Sequence, residues 1–493
     1  MRLARDVALL TGTAIRMFRE DPLWLAVQAA RRFAPARRFA LTPRSPSRGL
    51  LAAAAAFLAD QPDRTAALLR ERGVTGHRPG DALAARLAVQ VGATDALSSD
   101  ISARPHVAAL VAQQRGDLTG ALAALVGNRG AAARKLRSEW RTLQPGFRLP
   151  VPRVEWDGPG DGVRVLHILT NSLPHTRSGY TNRTQHLLRA SRDAGLTIEA
   201  VTRIGYPTTV GVLGSAEADV VDGITYRRLP AWRLKTDVDA RLSQQVQALI
   251  PIARRFRPGV LHTTTDYTNA LVTQALAEAL GVPWVYEMRG QLELTWVASR
   301  PAEFRRAAGT SERVRLLRAR EAELAQAAGA VVVLSQVQAD DLVARGVDPA
   351  KVALVPNAID PQLLTRDAHP AEARQSLGLP RQGVWVGTVS SLVAYEGIDD
   401  LLRAVALLRD EGLDVRALVA GDGVSRPAWI ALADELDLGD AAVFPGRVSP
   451  AAAPGWFEAL DIFVVPRKDT PVCRLVTPLK PVEAMALRRP VVV

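Results

Sequence analysis

The spacing of apolar residues divides the chain into two parts with different predicted structures. Up to about residue 150 the apolar positions recur every three or four residues, as in PHVAALVAQQRGDLTGALAALVGN at 105–128. This period predicts helices, and the segment carries no strand signals. The tripeptide RGD at 115–117 interrupts the pattern, so we expect two helices joined by a tight turn.

A second helical hairpin of the same plan is predicted at 50–73, with its break around 61–63. Stacked helical hairpins form solenoids, so residues 1–150 are predicted to be an all-α, helical-repeat-like region. The two copies share no motif of a named repeat. Partner docking, membrane placement and simple packing are all open as the role of this region.

After a Pro/Gly-rich joint at 151–162, short apolar runs alternate with amphipathic helical stretches. Such alternation is typical of parallel sheets that are covered by helices on both faces. The predicted strands of a first lobe (163–360) are 163–170, 196–202, 259–264, 283–288, 330–335 and 352–357. Those of a second lobe (382–493) are 383–390, 415–423, 441–446, 461–467 and 489–493. The predicted fold class is α/β, with two tandem doubly wound, Rossmann-like lobes and a ligand cleft at the carboxyl ends of the strands.

Composition restricts the class of protein. The single cysteine, Cys473, excludes a disulfide framework and fits a reducing compartment. The apolar run GLLAAAAAFLA from Gly49 is too short to cross about 30 Å of hydrocarbon. Arg16 and Arg19 stand where a secretory signal would need an apolar core. We therefore expect a cytoplasmic protein.

The net charge of +12 invites a nucleic-acid interpretation, which the composition does not favour. Arginine far outnumbers lysine and alanine is abundant, which indicates a codon bias, so no nucleic-acid partner is predicted. The excess is local in RRFAPARRFALTPRSPSR at 31–48, which has no acidic residue. Two alternatives stay open: residues 1–48 make a peripheral contact with the inner face of an anionic membrane, or the segment is a solvated linker.

Several candidate ligand-binding residues follow predicted strands. Ser178 and Gly179 begin a helix after the first strand, where free backbone N–H groups favour an anion. Equivalent turns of the second lobe contain Ser390, Ser391, Gly397, Gly421 and Gly423. Each of these turns also has a purely steric explanation.

The final segment, VTPLKPVEAMALRRPVVV at 476–493, is the most informative. Thr477 is a favourable helix N-cap and Pro478 suits the first helical position. Lys480 would add its charge to this helix end, which suits a diphosphate, and Glu483 could accept hydrogen bonds from a ribose. The preceding loop, PRKDTPVCR, supplies three more cations that would require an anion if they converged: Arg467, Lys468 and Arg474.

PLKPVEAMALRRPVVV resembles the signature of glycosyltransferase family 4, retaining enzymes of the GT-B fold that use nucleotide-activated sugars. Further similar stretches follow the family order: SLPHTRSGYTNRTQHLLRASRDAG, GVPWVYEMRG, ARGVDPAKVALVPNAID, YEGIDDLLRAVALL and VFPGRV. The resemblance covers 163–493, whereas residues 1–150 share nothing with the family core. It implies transfer of a sugar from a nucleoside diphosphate to a saccharide or lipid-linked acceptor.

The resemblance also implies roles for individual residues. Those placed near the donor sugar, base or phosphates, in addition to the turn residues above, are Ser178, Gly179, Gly446, Arg447, Val448, Lys468 and Thr477. The predicted catalytic set is Arg467, Arg474, Lys480 and Glu483, with Glu483 on the ribose. The acceptor-side candidates are His175, His262, Glu287 and Arg289. Family members need no metal, and the nucleotide sugar is a substrate, so neither a metal nor a cofactor is predicted.

The chain departs from the family pattern at three positions. Leu475 replaces the first glutamate of the usual pair, and Ser391 and Glu396 match the usual Arg and Lys of the second lobe. Our hypothesis is that the cations of the 467–474 loop compensate, a pattern associated with an exopolysaccharide-linked branch. Arg474→Ala is then expected to weaken donor binding severely. His262, followed by TTTD, is ambiguous between a structural and a functional role.

Two rival functions remain open at this level. One is a non-catalytic GT-B-fold binding or scaffold protein, or an inactive fragment; the other is an epimerase that acts on a nucleotide sugar. Because RPVVV begins a strand beyond which family members continue, the second lobe is predicted to be truncated, and full activity is not expected.

Overall fold

The computed structural model describes residues 1–32, 48–59, 61–449, 451–475 and 477–493. The chain divides into two compact units, Met1–Leu354 and Val355–Val493. Each unit contains one mainly parallel sheet covered by helices, and an all-α segment precedes the first sheet. The predicted α/β fold class is thereby confirmed. Part of the basic segment 31–48 lies outside the described residues.

The first unit is built on an eight-stranded sheet with the order β3-β4-β2-β1-β5-β6-β7-β8. Its strands are β1 (Arg164–Leu169), β2 (Thr197–Ile204), β3 (Ala218–Val221), β4 (Ile224–Leu229), β5 (Val260–Thr264), β6 (Trp284–Met288), β7 (Ala330–Val333) and β8 (Val352–Leu354). All neighbouring strands are parallel except β3 and β4. The six strands predicted from apolar runs are all present.

The antiparallel hairpin β3–β4 was missed because β3 (ADVV) has only four residues and β4 (ITYRRL) contains two arginines, so neither forms a long apolar run. Its turn is Asp222-Gly223, and both residues have positive φ, 48° and 77°. That conformation defines a type I′ turn, for which Asp-Gly is a favoured dipeptide. The sequence therefore did contain a hairpin signal, which the search for long apolar runs passed over.

The α-helices of the first unit fall into two groups. Those before the sheet are Arg2–Glu20, Pro22–Arg32, Gly49–Leu58, Pro62–Arg72, Asp81–Val91, Ser99–Ser102, Pro105–Arg115, Leu118–Ala124 and Ala131–Leu143. Those within the sheet region are Gly179–Asp193, Val238–Phe256, Tyr267–Leu280, Leu292–Ala298, Ala302–Gly309, Glu312–Ala327 and Gln336–Ala344. The predicted break at RGD is present: Gly116 ends one helix in the left-handed region and Asp117 caps the next.

The helical region shares its core with the first sheet. Leu118, Leu136 and Leu143 are buried in the same cluster as Leu242 and Leu249 of the helix Val238–Phe256. The helices between 49 and 107 instead surround a separate, alanine-rich core. Burial of each of these large apolar side chains stabilises the contact between the helical region and the first sheet by roughly 2 kcal/mol. Residues 118–149 therefore pack as part of the first unit.

The second unit contains a five-stranded parallel sheet with the order β11-β10-β9-β12-β13. Its strands are β9 (Val384–Val389), β10 (Val415–Ala420), β11 (Ala442–Gly446), β12 (Ile462–Val464) and β13 (Val491–Val492). Its α-helices are Pro370–Ser376, Ile398–Asp410, Arg426–Glu435, Ala453–Glu458, Pro471–Leu475 and Lys480–Ala486. The five strands predicted for this lobe are all present.

A buried carboxyl group lies behind the first sheet. Glu321, on the helix Glu312–Ala327, accepts hydrogen bonds from the Tyr286 hydroxyl and, at 3.0 Å, from the backbone N–H of Tyr267. Burial raises the pKa of Glu321 to about 8, and the nearby Asp266 adds to the shift. The carboxyl is therefore mostly protonated at neutral pH.

Replacing this acid should change how stability depends on pH. Because the folded-state pKa is raised from 4.5 to about 8, the Glu321 contribution is fully present below pH 4.5 and is lost as the pH rises through 8. The free energy of unfolding of the first unit should therefore fall over this window by up to about 5 kcal/mol, and Glu321→Gln should abolish that decline. Urea titrations between pH 5 and 8.5 measure the effect.

The matched control is Glu71→Gln, which removes an exposed carboxylate of the same unit. This variant should keep the wild-type slope. An unchanged slope in Glu321→Gln would show that Glu321 is ionised in the folded protein.

Candidate functional site

The candidate ligand-binding residues of the second lobe lie at one edge of its sheet. Ser390 follows β9, Gly421 follows β10, Gly446 ends β11 and Arg467 follows β12. Because these strands are parallel, their carboxyl ends all lie at the same edge. In open α/β sheets this edge is where ligands bind.

Lys480 is the central cation of this edge. It begins the helix Lys480–Ala486, and its Nζ donates a hydrogen bond of 2.5 Å to the Oγ of Ser390. Burial lowers its pKa, while the carboxylates of Glu396 and Glu483 act in the opposite direction. Within the described part of the chain, Lys480 has no salt bridge. A half-buried ammonium of this kind has its charge available for an anion.

Glu483 lies in the first turn of the same helix and is half-buried. Burial raises its pKa, and the nearby Lys480 partly opposes the shift. Its carboxyl group accepts no hydrogen bond from any of the described residues. Lys480 and Glu483 therefore present one donor group and one acceptor group that the folded chain leaves largely unused.

The predicted helix start is wrong by two residues. The helix begins at Lys480, with Leu479 as the N-cap and no side-chain cap, so Thr477 and Pro478 lie outside it. Pro481 stands in the first turn, where a missing N–H costs no hydrogen bond, and it favours this later start. The carbonyl of Thr477 instead accepts a hydrogen bond of 3.3 Å from the Asn357 amide.

Two of the three loop cations have carboxylate partners in the same unit. Arg467 pairs with Glu396 at 2.9 Å, and Lys468 pairs with Asp399 at 2.8 Å and with Asp400 at 2.6 Å. Both aspartates begin the helix Ile398–Asp410, so the sequence DD, which reads as solvated or capping charge, serves as the partner of Lys468. These two cations are already neutralised by side chains of the same unit.

Arg474 lies apart from this group. It is 72% exposed and pairs with the equally exposed Asp469 at 2.5 Å. The interaction belongs to the surface of the short helix Pro471–Leu475. Nothing in this arrangement draws Arg474 toward Lys480, which weakens the hypothesis of relocated charge.

The glycines of this edge are explained by close backbone contacts. A Cβ at Gly421 would lie 1.8 Å from the Ser390 carbonyl oxygen, and one at Gly423 would lie 2.2 Å from that of Leu392. Gly397 has φ of 69°, and its Cβ would lie 1.7 Å from the carbonyl oxygen of Pro466. Only glycine allows the Ser390 turn and the loop before Arg467 to approach their neighbours so closely.

The remaining donor-side candidates occupy loops at the same edge. Ser391 and Arg447 are exposed, and Val448 is half-buried against the core that contains Phe463. Gly446 has φ of 84°, and its carbonyl accepts a hydrogen bond of 2.9 Å from the N–H of Gly421. Their predicted contacts with the base remain predictions.

Three of the acceptor-side candidates meet at the carboxyl edge of the first sheet. Glu287, at the end of β6, is completely buried and is paired with Arg289 at 2.6 Å and with Arg183 at 2.8 Å. The His262 imidazole lies 3.2 Å from the same carboxylate. Sequence analysis missed Arg183, although its place in the first turns of the helix after β1 was a usable signal.

A second histidine extends this cluster. His167 on β1 is the register partner of His262 on β5, and the two rings stack with centroids 4.5 Å apart. Burial lowers the pKa of His167 well below its usual value, and His262 adds to the shift. Burial alone would raise the pKa of Glu287, but Arg289 and His262 outweigh it and hold that pKa well below its ordinary range. Glu287 is therefore an ionised carboxylate between two guanidinium groups.

Arg289 also braces the first turns of the helix Gly179–Asp193. Its guanidinium donates to the carbonyl of Tyr180 at 2.7 Å and to the Thr184 hydroxyl at 2.6 Å. In the same turn, Ser178 is the N-cap and forms a capping box with Thr181. The Ser178 side chain thus has a structural role, whereas the space beside Gly179 is open.

His175 does not join the Glu287 cluster. Its Nε2 lies 3.1 Å from Asp219, which also pairs with the buried Arg228 at 2.6 Å. The predicted acceptor set is thus divided between two networks of the first unit.

Models of two glycosyltransferase domains match this chain. The Glycosyl transferase 4-like domain matches residues 178–358, and the Glycosyl transferases group 1 domain matches residues 383–493. Together they cover more than half of the chain and place one domain on each sheet. The chain belongs to glycosyltransferase family 4.

Two proteins of similar sequence are also glycosyltransferases. The transferase is 28% identical over 294 residues to 2-deoxystreptamine glucosyltransferase of Streptomyces kanamyceticus, a match that covers 56% of this chain and 72% of the relative. It is 26% identical over 299 residues to D-inositol 3-phosphate glycosyltransferase of Stackebrandtia nassauensis, covering 56% and 63%. The chain thus spans less than two thirds of the second relative.

A solved structure supports the fold. Sucrose-phosphate synthase from Thermosynechococcus elongatus matches with a TM-score of 0.52 at 20% identity, over 67% of this chain and 80% of that protein. In the described residues of the transferase, no group of three or more His, Cys, Asp or Glu side chains is placed to hold one metal ion. None of the described helices is both long and apolar enough to cross a membrane.

Removing the buried carboxylate should destabilise the first unit. Glu287→Gln keeps the side-chain shape but leaves Arg183 and Arg289 without their negative partner, which should cost about 3–5 kcal/mol of unfolding free energy. Urea unfolding followed by tryptophan fluorescence measures the loss. Glu278→Gln is the control, because its pair with Arg148 is largely exposed and should contribute under about 1 kcal/mol. Equal losses in both variants would contradict the buried ion network.

Lys480→Met should weaken binding of nucleoside diphosphates by about tenfold or more, because it removes a charged hydrogen-bond donor from a half-buried position. Calorimetry with UDP, GDP and ADP measures the affinity. Lys468→Met is the matched control, since its ammonium is already paired with two aspartates. Arg474→Ala should change affinity less than about threefold. A severe loss in Arg474→Ala with a normal Lys480→Met would instead support the relocated-charge hypothesis.

Proposed function

We propose that this glycosyltransferase is a retaining enzyme that transfers a sugar from a nucleoside diphosphate donor to a saccharide or lipid-linked acceptor in polysaccharide or glycoconjugate synthesis. The observation that supports this function best is the pair Lys480 and Glu483 at the carboxyl edge of the second sheet. Every other cation of that loop has a carboxylate partner, whereas Lys480 is bonded only to the Ser390 hydroxyl among the described residues.

We assign the donor to this edge. The Lys480 ammonium binds the diphosphate and stabilises the negative charge that develops on it as the bond to the sugar breaks. Ser390 holds the ammonium in place, and Glu483 accepts hydrogen bonds from the ribose hydroxyls. Burial of both groups keeps water from screening the charge, so the contribution is electrostatic and positional.

The proposed reaction needs no protein nucleophile. The bond between the anomeric carbon and the diphosphate oxygen breaks, and the acceptor oxygen bonds to the same face of that carbon. The acceptor proton passes to the departing diphosphate. We propose that the reaction proceeds without a metal or cofactor, with Lys480 and its neighbours supplying the positive charge.

We assign acceptor binding to the first unit. Glu287 and Arg289 form an ion pair with each other, so their charges are already neutralised. They act as positioning residues that hold the first turn of the helix at Gly179. The names of the two relatives, for a 2-deoxystreptamine and a D-inositol 3-phosphate enzyme, support a small hydroxylated acceptor as well as a saccharide.

A donor panel tests the proposal. Turnover of UDP-, GDP- and ADP-sugars is followed by nucleotide release, and the anomer of the product is determined by NMR. A product with the donor's own anomeric configuration supports the retaining reaction, and an inverted product rejects it. Activity that survives EDTA supports the metal-free mechanism, and loss that Mg²⁺ restores rejects it.

A non-catalytic GT-B-fold binding protein is the second candidate. Leu475 in place of the first family glutamate and the paired state of Arg467 favour it. Thermal shift with nucleoside diphosphates, combined with the donor panel, separates the alternatives: binding without turnover favours the binding protein. An epimerase would change the sugar of the donor without any acceptor.

Cytoplasmic location at the inner face of a membrane, contact through residues 1–48 and a protein partner of the helical region are also part of the proposal. The absence of nucleic-acid binding is expected from the composition.

A further inference from the structure

The first helix of the chain, Arg2–Glu20, has its two faces reversed relative to an ordinary surface helix. A surface helix normally buries its apolar side chains and exposes its polar ones. Here the fully buried Asp6 and the half-buried Arg16 and Glu20 lie on the inward face. Among the larger apolar residues of the helix, only Leu9 is buried.

Polar contacts fasten the inward face to the first unit. The Asp6 carboxylate accepts hydrogen bonds from the Thr208 hydroxyl at 3.0 Å and from the Gly214 N–H at 2.8 Å. At the other end of the helix, Glu20 pairs with Lys135 at 2.9 Å. The helix is therefore held in register by polar contacts together with the buried Leu9, and its exposed apolar residues take no part in the attachment.

The outward face is a continuous apolar surface. We call Leu3, Val7, Ile15 and Phe18 the outer stripe; their exposed fractions are 58%, 48%, 49% and 60%. The exposed positions between them are Ala4, Ala8, Thr11 and Ala14. At 100° per residue these eight residues cover one side of the helix over its whole length. The described part of the chain provides no cover for this surface.

The charge of the first 48 residues is one-sided in sequence. Residues 1–48 contain ten arginines and only three acids. All three acids are engaged inward: Asp6 and Glu20 as above, and Asp21 with Arg86 at 2.9 Å. Arg2 and Arg19 at the two ends of the helix are exposed. An apolar stripe flanked by cations without opposing carboxylates is complementary to an anionic lipid surface.

We propose that the outer stripe of the helix Arg2–Glu20 docks the protein onto an anionic membrane. The helix lies in the plane of the lipid–water interface, Leu3, Val7, Ile15 and Phe18 enter the acyl boundary, and the arginines remain among the headgroups. The apolar surface and the electrostatic attraction each contribute to the affinity.

The position of the helix connects docking with the acceptor side of the first unit. Thr208 and Gly214, which bind Asp6, lie in the loop after β2, at the carboxyl end of that strand. The Glu287 cluster lies at the same edge, because β2, β1, β5 and β6 are parallel. Docking would therefore bring this edge close to the lipid surface, where a lipid-linked acceptor resides. Only this last step rests on the proposed function.

Vesicle co-sedimentation of the full chain tests the proposal. Vesicles of phosphatidylcholine with phosphatidylglycerol should bind the wild-type protein, vesicles of phosphatidylcholine alone should bind it weakly, and added salt should release it. Val7→Asp combined with Phe18→Asp should reduce partitioning by about tenfold or more, because it removes two apolar side chains and adds two negative charges. Arg2→Gln combined with Arg19→Gln should reduce binding several-fold, and only to the anionic vesicles.

Leu407→Asp is the matched control, since Leu407 is 64% exposed on a helix of the second unit and should have no effect on partitioning. All substituted positions are exposed, so the melting temperatures of the variants should match that of the wild type. If the double aspartate variant does not fold, Phe18→Ser alone takes its place. Unchanged partitioning of the stripe variants would overturn the proposal. So would an absence of vesicle binding, self-association through the stripe, or binding lost only when the arginines of 33–47 are neutralised. Vesicle binding without any sugar transfer would reject the proposed function and leave docking intact.

Discussion

Parallel strand pairing is the constraint on which the rest of this structure depends. Because β9, β10, β11 and β12 all run in one direction, the turns after them lie at one edge of the second sheet, and Ser390, Lys480 and Glu483 meet there. The same geometry brings His167, His262 and Glu287 together at an edge of the first sheet. Residues far apart in sequence become neighbours without any long-range signal of their own.

The two edges differ in how completely their charges are neutralised. In the first unit, Glu287 is enclosed by two arginines and a histidine, and Arg289 also donates to the first turns of the adjacent helix. Apart from the buried Nε of Arg289, which has no partner among the described residues, the donors of this guanidinium are engaged, which suits a role in holding backbone geometry. In the second unit, the pairs of Arg467 and Lys468 leave Lys480 and Glu483 as the partly buried groups with unused capacity. Unused charge at reduced solvent exposure is what a diphosphate-binding site requires.

The reversed first helix follows the same reasoning about where charge is placed. Burying Asp6 is tolerable because Thr208 and Gly214 donate to it and Arg5 pairs with it, and the apolar side chains are then left on the outside. A helical wheel drawn from sequence shows that Arg2–Glu20 is amphipathic, but it cannot show which face turns inward. The loop after β2 decides that, and with it the character of the exposed surface.

The sequence by itself determined the two α/β lobes, the eleven strands that have apolar runs, the helical hairpins and the family, because these depend on local periodicity and on motifs. It also selected Lys480 and Glu483 as candidate donor-binding residues, a role that stays a prediction. Tertiary structure decided the rest: Arg467, Lys468 and Arg474 found carboxylate partners, the last helix began at Lys480 and not near Thr477, and Arg183 joined Glu287. Ion pairing depends on the distances between segments, and local sequence patterns do not contain those distances. The sequence therefore shows that a residue is a cation but does not show which carboxylate it pairs with.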